Sequence, residues 1–268
     1  MDKQTILAEA SRIAQQTGVI LRSKFEQPIK QTTKTSDIDI VTEADEQAEE
    51  FISRELLSLY PDHHLVGEEG GGQGADIAEA EYHWYVDPID GTTNFASGIP
   101  HYCVSLALTD VDRRPIIGVI YAPDSDDLYT AIKGEGAYLN GKKLQVTDTL
   151  TLLQSVVGSG FPYSKHVDPD NNTREWAEFT KRARGVRRMG SAALDFAYVA
   201  AGRFDGYWEK NLKPWDALAG VLLVQEAGGT VSDYSGGDRP QWDEKGRFIA
   251  SNGHIHGQMI DVLQGNSE

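Results

Sequence analysis

Two carboxylates three residues apart, Asp87 and Asp90, have the residue type and spacing that best indicate chemistry in this sequence. They flank Pro88, follow a short apolar run at residues 84–86, and precede a Gly-Thr-Thr turn at residues 91–93 that can open a helix. Carboxylate oxygens are ligands for hard divalent cations such as magnesium (Mg2+), and free backbone N–H groups at a helix start suit a phosphate. A strand-to-helix junction of this kind indicates phosphoryl chemistry, although an isolated Asp-x-x-Asp-Gly is also a common turn or helix cap.

One other acid, Asp216, strengthens the first interpretation. Asp216 lies at the start of a segment, residues 213–224, that is apolar nearly all round and is predicted to be a buried helix. A buried carboxylate is costly unless it is paired or metal-bound, although Asp216 also suits the helix macrodipole. Taken alone, the Glu68-Glu69 pair before three glycines indicates a solvated loop, Asp45 a helix-start acid and Lys34 an exposed side chain.

Taken together, these segments resemble the inositol monophosphatase family of magnesium-dependent, lithium-sensitive phosphomonoesterases. The matching segments are residues 39–45, 67–69, 87–95 and 215–216, the last followed by 226–229. Their order and spacing agree from about residue 4 to residue 264. The resemblance implies an α+β fold, a layered αβαβα sandwich of the inositol monophosphatase/sugar phosphatase type.

The resemblance also implies roles for residues at matching positions. The implied metal ligands, for two or three Mg2+ per site, are Glu68, Asp87, the carbonyl of Ile89, Asp90 and Asp216. The implied catalytic residues are Glu68, Asp45 and Thr92, of which the last two would orient the attacking water. The implied substrate-binding residues are Gly91, Thr92, Asp90, Ser191, Ala192 and Glu209.

The implied function is magnesium-dependent hydrolysis of a small phosphorylated polyol, with inositol 1-phosphate as the first candidate. Fructose 1,6-bisphosphate, histidinol phosphate and 3′-phosphoadenosine nucleotides are alternative substrates within the family, and a non-catalytic regulatory protein on the same fold is an alternative of another class. Residues 93–95, Thr-Asn-Phe, favour the inositol branch. A basic cluster at residues 181–188 has three interpretations: contact with a second phosphate, a solvated helix end, or a subunit interface.

Composition limits the partners of the protein. The 268 residues include 25 Lys+Arg and 41 Asp+Glu, a formal net charge of −16, which argues against nucleic acid or an anionic membrane as the main partner. A small anionic substrate remains compatible, because bound cations reverse the local field. Cys103 is the one cysteine and lies in an apolar run, where it is expected to pack in the core. With no basic-then-apolar leader and no long apolar run, we expect a cytoplasmic protein, and the resemblance implies a homodimer.

Hydrophobic periodicity predicts the elements that must position these residues. Helices are predicted over residues 4–26 and about 43–59, the second capped by Thr42, and a mobile loop over 67–81. Strands are predicted at 83–87, 103–110, 115–121, 128–132 and 136–139, the last ending at an Asn140-Gly141 turn. The second half is predicted to alternate strands (156–158, 204–209, 230–233, 247–251) with helices (171–183, 190–201, 214–227, 254–264). We expect one domain over residues 1–268, with an N-terminal α+β part to about residue 150 and a C-terminal α/β part from 151.

Overall fold

A computed structural model of the chain describes residues 2–25, 27, 31–33, 40–237 and 246–266. Lys34 and Asp39 lie outside these described residues. The helices among them are α1 (Lys3–Lys24), α2 (Glu43–Leu59), α3 (Thr92–Ala96), α4 (Thr173–Arg182), α5 (Ala192–Ala200), α6 (Pro214–Glu226) and α7 (His256–Gln264). The predicted long helices agree with these bounds to within a few residues.

The strands of the described residues form three sheets. A two-stranded sheet consists of β1 (Gln31–Thr33) and β2 (Ile40–Thr42). The order of the eight-stranded sheet is β10 (Lys142–Lys143), β9 (Gly136–Leu139), β8 (Asp127–Ile132), β7 (Pro115–Ala122), β6 (Cys103–Asp110), β5 (Tyr82–Asp90), β3 (His64–Gly67) and β4 (Gly71–Gly74). The order of the five-stranded sheet is β12 (Gly185–Arg187), β11 (Val156–Ser159), β13 (Gly206–Glu209), β15 (Phe248–Ser251) and β14 (Thr230–Ser232).

The elements stack in five layers, so the expected αβαβα sandwich is confirmed. Helices α1 and α2 pack on one face of the eight-stranded sheet, and α5 and α6 cover the other face. The five-stranded sheet lies against the far side of α5 and α6, and α4 and α7 form the outermost layer. Three hydrophobic clusters fill the spaces between these layers.

Strand β6 and helix α6 show how the sequence selects this layering. Alternate residues of β6 face opposite cores: Cys103 and Ala107 face α5 and α6, whereas Val104 faces α1 and α2. Residues 217–224 of α6 are all buried, as its nearly uniform apolar character predicts for a helix between two sheets. Gly118 of β7 lets α6 approach closely, since a Cβ there would lie 2.8 Å from the carbonyl oxygen of Ala219.

One prediction about local structure is wrong. Residues 67–81 are not a loop throughout, because β4 pairs antiparallel with β3 from Gly67↔Gly71 to His64↔Gly74. Backbone pairing needs no side chains, so a strand this rich in glycine leaves no periodic signal. The basic cluster spans a helix end and a strand: Lys181 and Arg182 lie in the last turn of α4, and residues 185–187 form β12, which pairs parallel with β11.

Candidate active site

The junction of β5 and α3 has the strand-to-helix geometry that the sequence predicts. The pairing of β5 with β6 shifts register between Asp87 and Asp90, and the amide of Ile89 donates to Asp87 Oδ1 at 3.0 Å within this irregularity. Gly91 follows with a φ of 101° and caps the start of α3. A Cβ at Gly91 would lie 3.0 Å from the carbonyl oxygen of His101, so glycine meets both the conformational and the steric requirement.

Three carboxylates converge beside this junction. Glu68, Asp87 and Asp216 each place an oxygen within 4.8 Å of the others, and among the described residues this is the group suited to a metal ion. Glu68 comes from the turn between β3 and β4, and Asp216 from the first turn of α6, where its Oδ2 accepts a 2.7 Å hydrogen bond from the Lys213 amide.

The electrostatics of this group favour a bound cation. Burial, followed by the charge of Glu68, raises the pKa of the Asp87 carboxyl well above its usual range. Burial and Glu68 act in the same direction on the pKa of Asp216. Crowded carboxylates raise one another's pKa values because each disfavours the charge of its neighbour, and a divalent cation removes that repulsion. The donors are all oxygens, which fits Mg2+ or another hard cation.

Asp90 lies outside that group of three and is bound to the start of α5. Its Oδ2 accepts from Ser191 Oγ and from the Ala193 amide, both at 2.6 Å, and its Oδ1 accepts from the Ala192 amide at 3.2 Å. Burial raises the pKa of Asp90 to about 6, and these three hydrogen bonds oppose the rise. The predicted metal ligand and two of the predicted substrate-binding residues are therefore in direct contact.

Asp45 and Thr92 form the buried pair that the resemblance implies. Asp45 Oδ2 accepts from the amide and hydroxyl of Thr42, at 2.9 and 2.6 Å, which confirms Thr42 as the cap of α2. The Thr92 hydroxyl lies 3.2 Å from Asp45 Oδ1 and 3.0 Å from the carbonyl oxygen of Ile89. Because that hydroxyl has one proton, it donates to one of these acceptors at a time.

Glu209 ends β13 and is half-buried. Burial raises its pKa to about 7, and the Tyr207 hydroxyl, which donates to Glu209 Oε2 at 2.5 Å, together with the charge of Arg188 opposes that rise. The Arg188 guanidinium lies 5.4 Å from the ring centroid of Phe161. Of the basic cluster, Arg188 is thus the residue whose charge acts on the predicted substrate-binding acid.

Several residues that the sequence did not assign to the site support it. Asn94 Nδ2 donates to the carbonyl oxygens of His101 and Met189, at 2.7 and 2.9 Å, and so ties α3 to the segment before Ser191. The thiol of buried Cys103 lies 3.8 Å from Asp90 Oδ2 and 3.6 Å from Ser191 Oγ. Asn94 directly follows the Gly-Thr-Thr turn, so its position in the sequence could have indicated that it belongs to the site. The contact of the Cys103 thiol with Ser191 joins distant segments, and no local sequence pattern indicates it.

None of the described helices has both the length and the apolar character that crossing a bilayer requires.

Comparison with known proteins places the whole chain in one group. The model described as "Inositol monophosphatase family" matches residues 2–268. An inositol-1-monophosphatase of Rhizobium meliloti is 43% identical over 228 residues, which cover 84% of this chain and 83% of that protein. The Nus factor SuhB of Pseudomonas aeruginosa is 40% identical over 269 residues, covering 97% of this chain and 96% of that protein. The solved structure of inositol monophosphatase from Anabaena (Nostoc) sp. PCC 7120 has a TM-score of 0.88 and 38% identity, covering 99% of this chain and 97% of that one.

Proposed function

Because the chain belongs to the inositol monophosphatase family of metal-dependent phosphatases, which act on small phosphorylated substrates, we propose that it hydrolyses inositol 1-phosphate to inositol and phosphate. The observation that carries the proposal is the convergence of Glu68, Asp87 and Asp216 beside the start of α3. This arrangement brings a cation-binding group next to backbone amides that have no partner within their own helix.

In this proposal Glu68, Asp87 and Asp216 hold Mg2+, joined by Asp90 and by the carbonyl oxygen of Ile89. Two or three ions per site are proposed from the resemblance. When bound, Mg2+ supplies a water of lowered pKa and neutralises charge on the phosphate and on the leaving oxygen. The raised pKa values of Asp87 and Asp216 support the assignment, because these carboxylates are repelled from one another until a cation joins them.

The protein's own residues then bind and orient. The amides of Gly91 and Thr92 open α3 and are proposed to donate to the phosphate. Asp45 accepts from the Thr92 hydroxyl, which leaves the lone pairs of that oxygen to accept from the attacking water. With Glu68 they make up the proposed catalytic set. They fix the water's direction of attack because both residues are buried and Asp45 is held by two further hydrogen bonds, from the amide and the hydroxyl of Thr42.

The far side of the site is proposed to recognise the alcohol. Glu209 offers a carboxylate that accepts from substrate hydroxyls, and the Tyr207 hydroxyl fixes its orientation. Ser191 and Ala192 line the same side through their contact with Asp90. A bisphosphate such as fructose 1,6-bisphosphate is the second candidate substrate. Arg188 favours it, because its positive charge acts on the Glu209 carboxyl and so places a cation on this side of the site, where it suits a second phosphate.

Phosphate release from a panel of substrates tests the proposal. The panel consists of inositol 1-phosphate, fructose 1,6-bisphosphate, histidinol phosphate and 3′-phosphoadenosine 5′-phosphate, each with and without Mg2+. We expect magnesium-dependent turnover with the highest kcat/KM for inositol 1-phosphate. A higher kcat/KM for another member of the panel would leave the proposed mechanism in place but would identify that compound as the preferred substrate.

A relative that is 40% identical is named Nus factor SuhB, so the same experiment also tests the alternative that this protein is a non-catalytic regulator. Intact Mg2+ binding without turnover of any panel member would favour that alternative. We further propose a lithium-inhibited cytoplasmic homodimer, and light scattering coupled to size-exclusion chromatography measures the oligomeric state. The net charge of −16 supports the expectation that neither nucleic acid nor an anionic membrane is its main partner.

A further inference from the structure

Glu49 is a buried carboxylate one helical turn after Asp45 on α2. Its side chain is 3% exposed and accepts hydrogen bonds from the amide of Glu69 at 2.8 Å and from the amide of Gly70 at 2.5 Å. A buried ionised carboxylate is stable where it accepts such charge-assisted bonds. The helix therefore reaches the turn that carries Glu68, although Glu49 itself lies outside the group of three acids that converge there.

The glycines on either side of the Glu68-Glu69 pair leave space for the Glu49 carboxylate. A Cβ on Gly67 would lie 2.3 Å from Glu49 Oε1, and a Cβ on Gly70 would lie 2.8 Å from the same atom. Real Cβ atoms do not approach other atoms so closely, so both positions leave room for the Glu49 side chain. The contact thus depends on the residues before and after the Glu68-Glu69 pair.

The turn is also attached to β5. The Glu68 amide donates to the carbonyl oxygen of Val86 at 3.1 Å, which continues the parallel pairing of β3 with β5. The following strand, β4, lies at the edge of the sheet and is mostly exposed. The bonds from the Glu69 and Gly70 amides to Glu49 therefore hold the side of the turn that leads into this exposed edge strand.

We propose that Glu49 is a positioning residue that fixes the Glu68 carboxylate toward Asp87 and Asp216 by binding the amides of Glu69 and Gly70. The inference rests on the proposed function, because it treats Glu68 as a metal ligand. Helix α2 then contributes two residues to the site: Asp45 contacts Thr92, and Glu49 holds the turn that carries Glu68.

The variant Glu49→Gln tests this positioning. A glutamine of the same size offers one carbonyl oxygen and turns an N–H toward an amide that is itself a donor, so one of the two bonds is lost. We expect the Kd for Mg2+, measured by calorimetry, to rise about 10- to 100-fold, as for other groups that hold a metal ligand in place. The kcat at saturating Mg2+ should stay within a few-fold of the parent value, and hydrogen exchange at the Glu69 and Gly70 amides should become faster.

Glu50→Gln is the matched control, because Glu50 is the next residue on α2 and is exposed. It should change neither the Kd for Mg2+ nor the exchange of the two amides. A second variant, Gly70→Ala, disturbs the same contact from the other side and should reproduce the weaker Mg2+ binding. Its control is Gly257→Ala, where an added Cβ meets nothing within 4 Å.

The possible outcomes separate the positioning role from the proposed function. Faster exchange at the two amides with an unchanged Kd for Mg2+, in both Glu49→Gln and Gly70→Ala, would overturn the inference, because the turn would be anchored without orienting Glu68. A parent protein that binds Mg2+ but hydrolyses no phosphate monoester would overturn the proposed function alone, since the Kd comparison still measures what Glu49 does. A parent protein that binds no Mg2+ would overturn both.

Discussion

The Asp90 carboxylate makes its three hydrogen bonds to a helix that begins about one hundred residues further along the chain. Its motif indicates that Asp90 belongs to a site, but not which segment it meets. The same is true of Asp45 and Thr92, which are 47 positions apart. Residue types and local spacing therefore predict which side chains are functional, whereas the contacts among them depend on a fold that no short segment encodes.

Asp90→Asn tests the role of this carboxylate. The Asn Oδ1 still accepts from the start of α5, so the protein should remain folded. The lost charge should lower kcat/KM by about 100-fold or more, since even groups that only orient metal ligands contribute up to that amount. Phosphate release and circular dichroism measure the two effects. Asp112→Asn, at an exposed position, is the control, and wild-type turnover in Asp90→Asn would contradict the assignment.

Thr92 is tested by two substitutions that differ in one group. Thr92→Val keeps the shape but removes the hydroxyl that faces Asp45 and Ile89, whereas Thr92→Ser keeps the hydroxyl. We expect kcat of the Val variant to fall about 100-fold, in the range of lost general acid–base or orienting groups. The Ser variant should retain kcat within a few-fold. Equal losses in both would mean that the methyl group matters and the hydroxyl does not.

At the scale of elements, sequence patterns with strong periodicity gave correct predictions. The α2 helix begins at Glu43, as its Thr42 cap indicates, and β6 has the predicted bounds. The β3–β4 hairpin was missed because four residues with the sequence Gly-Gly-Gln-Gly carry no hydrophobic alternation. The short helix α3 was foreseen only as a helix start, since five residues are too few to show a period.

Asn94 is the element-scale link between α3 and the segment before α5. In Asn94→Ala, the carbonyl oxygens of His101 and Met189 lose their donor. We expect the free energy of unfolding to fall by about 1–3 kcal/mol, the usual cost of a buried unpaired polar group. KM should rise because Ser191 and Ala192 are less firmly placed. Urea unfolding and steady-state kinetics check both effects; Asn266→Ala, near the end of α7, should change neither.

At the scale of the whole molecule, the site is built from segments distant in the chain. Asp87 comes from the eight-stranded sheet and Glu68 from the turn between two of its strands. Asp216 comes from the adjacent helix layer and Glu209 from the five-stranded sheet. The family resemblance predicted this set of acids, and no composition or periodicity argument would have done so. Because like charges assemble at the junction of three layers, we expect the stability of the fold to depend on both protons and metal.

The metal-free protein should lose stability as the pH rises. Asp90 has a pKa of about 6 in the folded protein against 3.8 ordinarily, and the pKa values of Asp87 and Asp216 are also raised. An acid with a raised folded-state pKa stabilises the fold below its unfolded value, and that contribution is lost as the pH rises through the folded value. We expect the Tm without Mg2+ to fall by about 5 °C or more between roughly pH 5 and pH 8.

Saturating Mg2+ should reverse this dependence. Metal binding requires deprotonated carboxylates, so the rise in Tm on adding Mg2+ should be large at about pH 8 and small at about pH 5. Calorimetric scans at both pH values with and without Mg2+ measure it. Asp216→Asn, which removes one of the three convergent charges, should flatten the pH dependence of the metal-free protein. A Tm that Mg2+ does not move at either pH would contradict the assembled metal group.

The position of Cys103 allows its thiol to report when the structure around the site opens. Its thiol is fully buried between Asp90 and Ser191, and burial raises its pKa well above the ordinary value, so an alkylating reagent finds neither access nor a reactive thiolate in the closed structure. Since the chain has one cysteine, alkylation at this single position reports opening of the structure around Cys103, which includes the contact between β6 and α5. The labelling rate, followed by intact-mass spectrometry, therefore measures how accessible the open form of this site is, and a ligand that bridges the two sides should lower that rate.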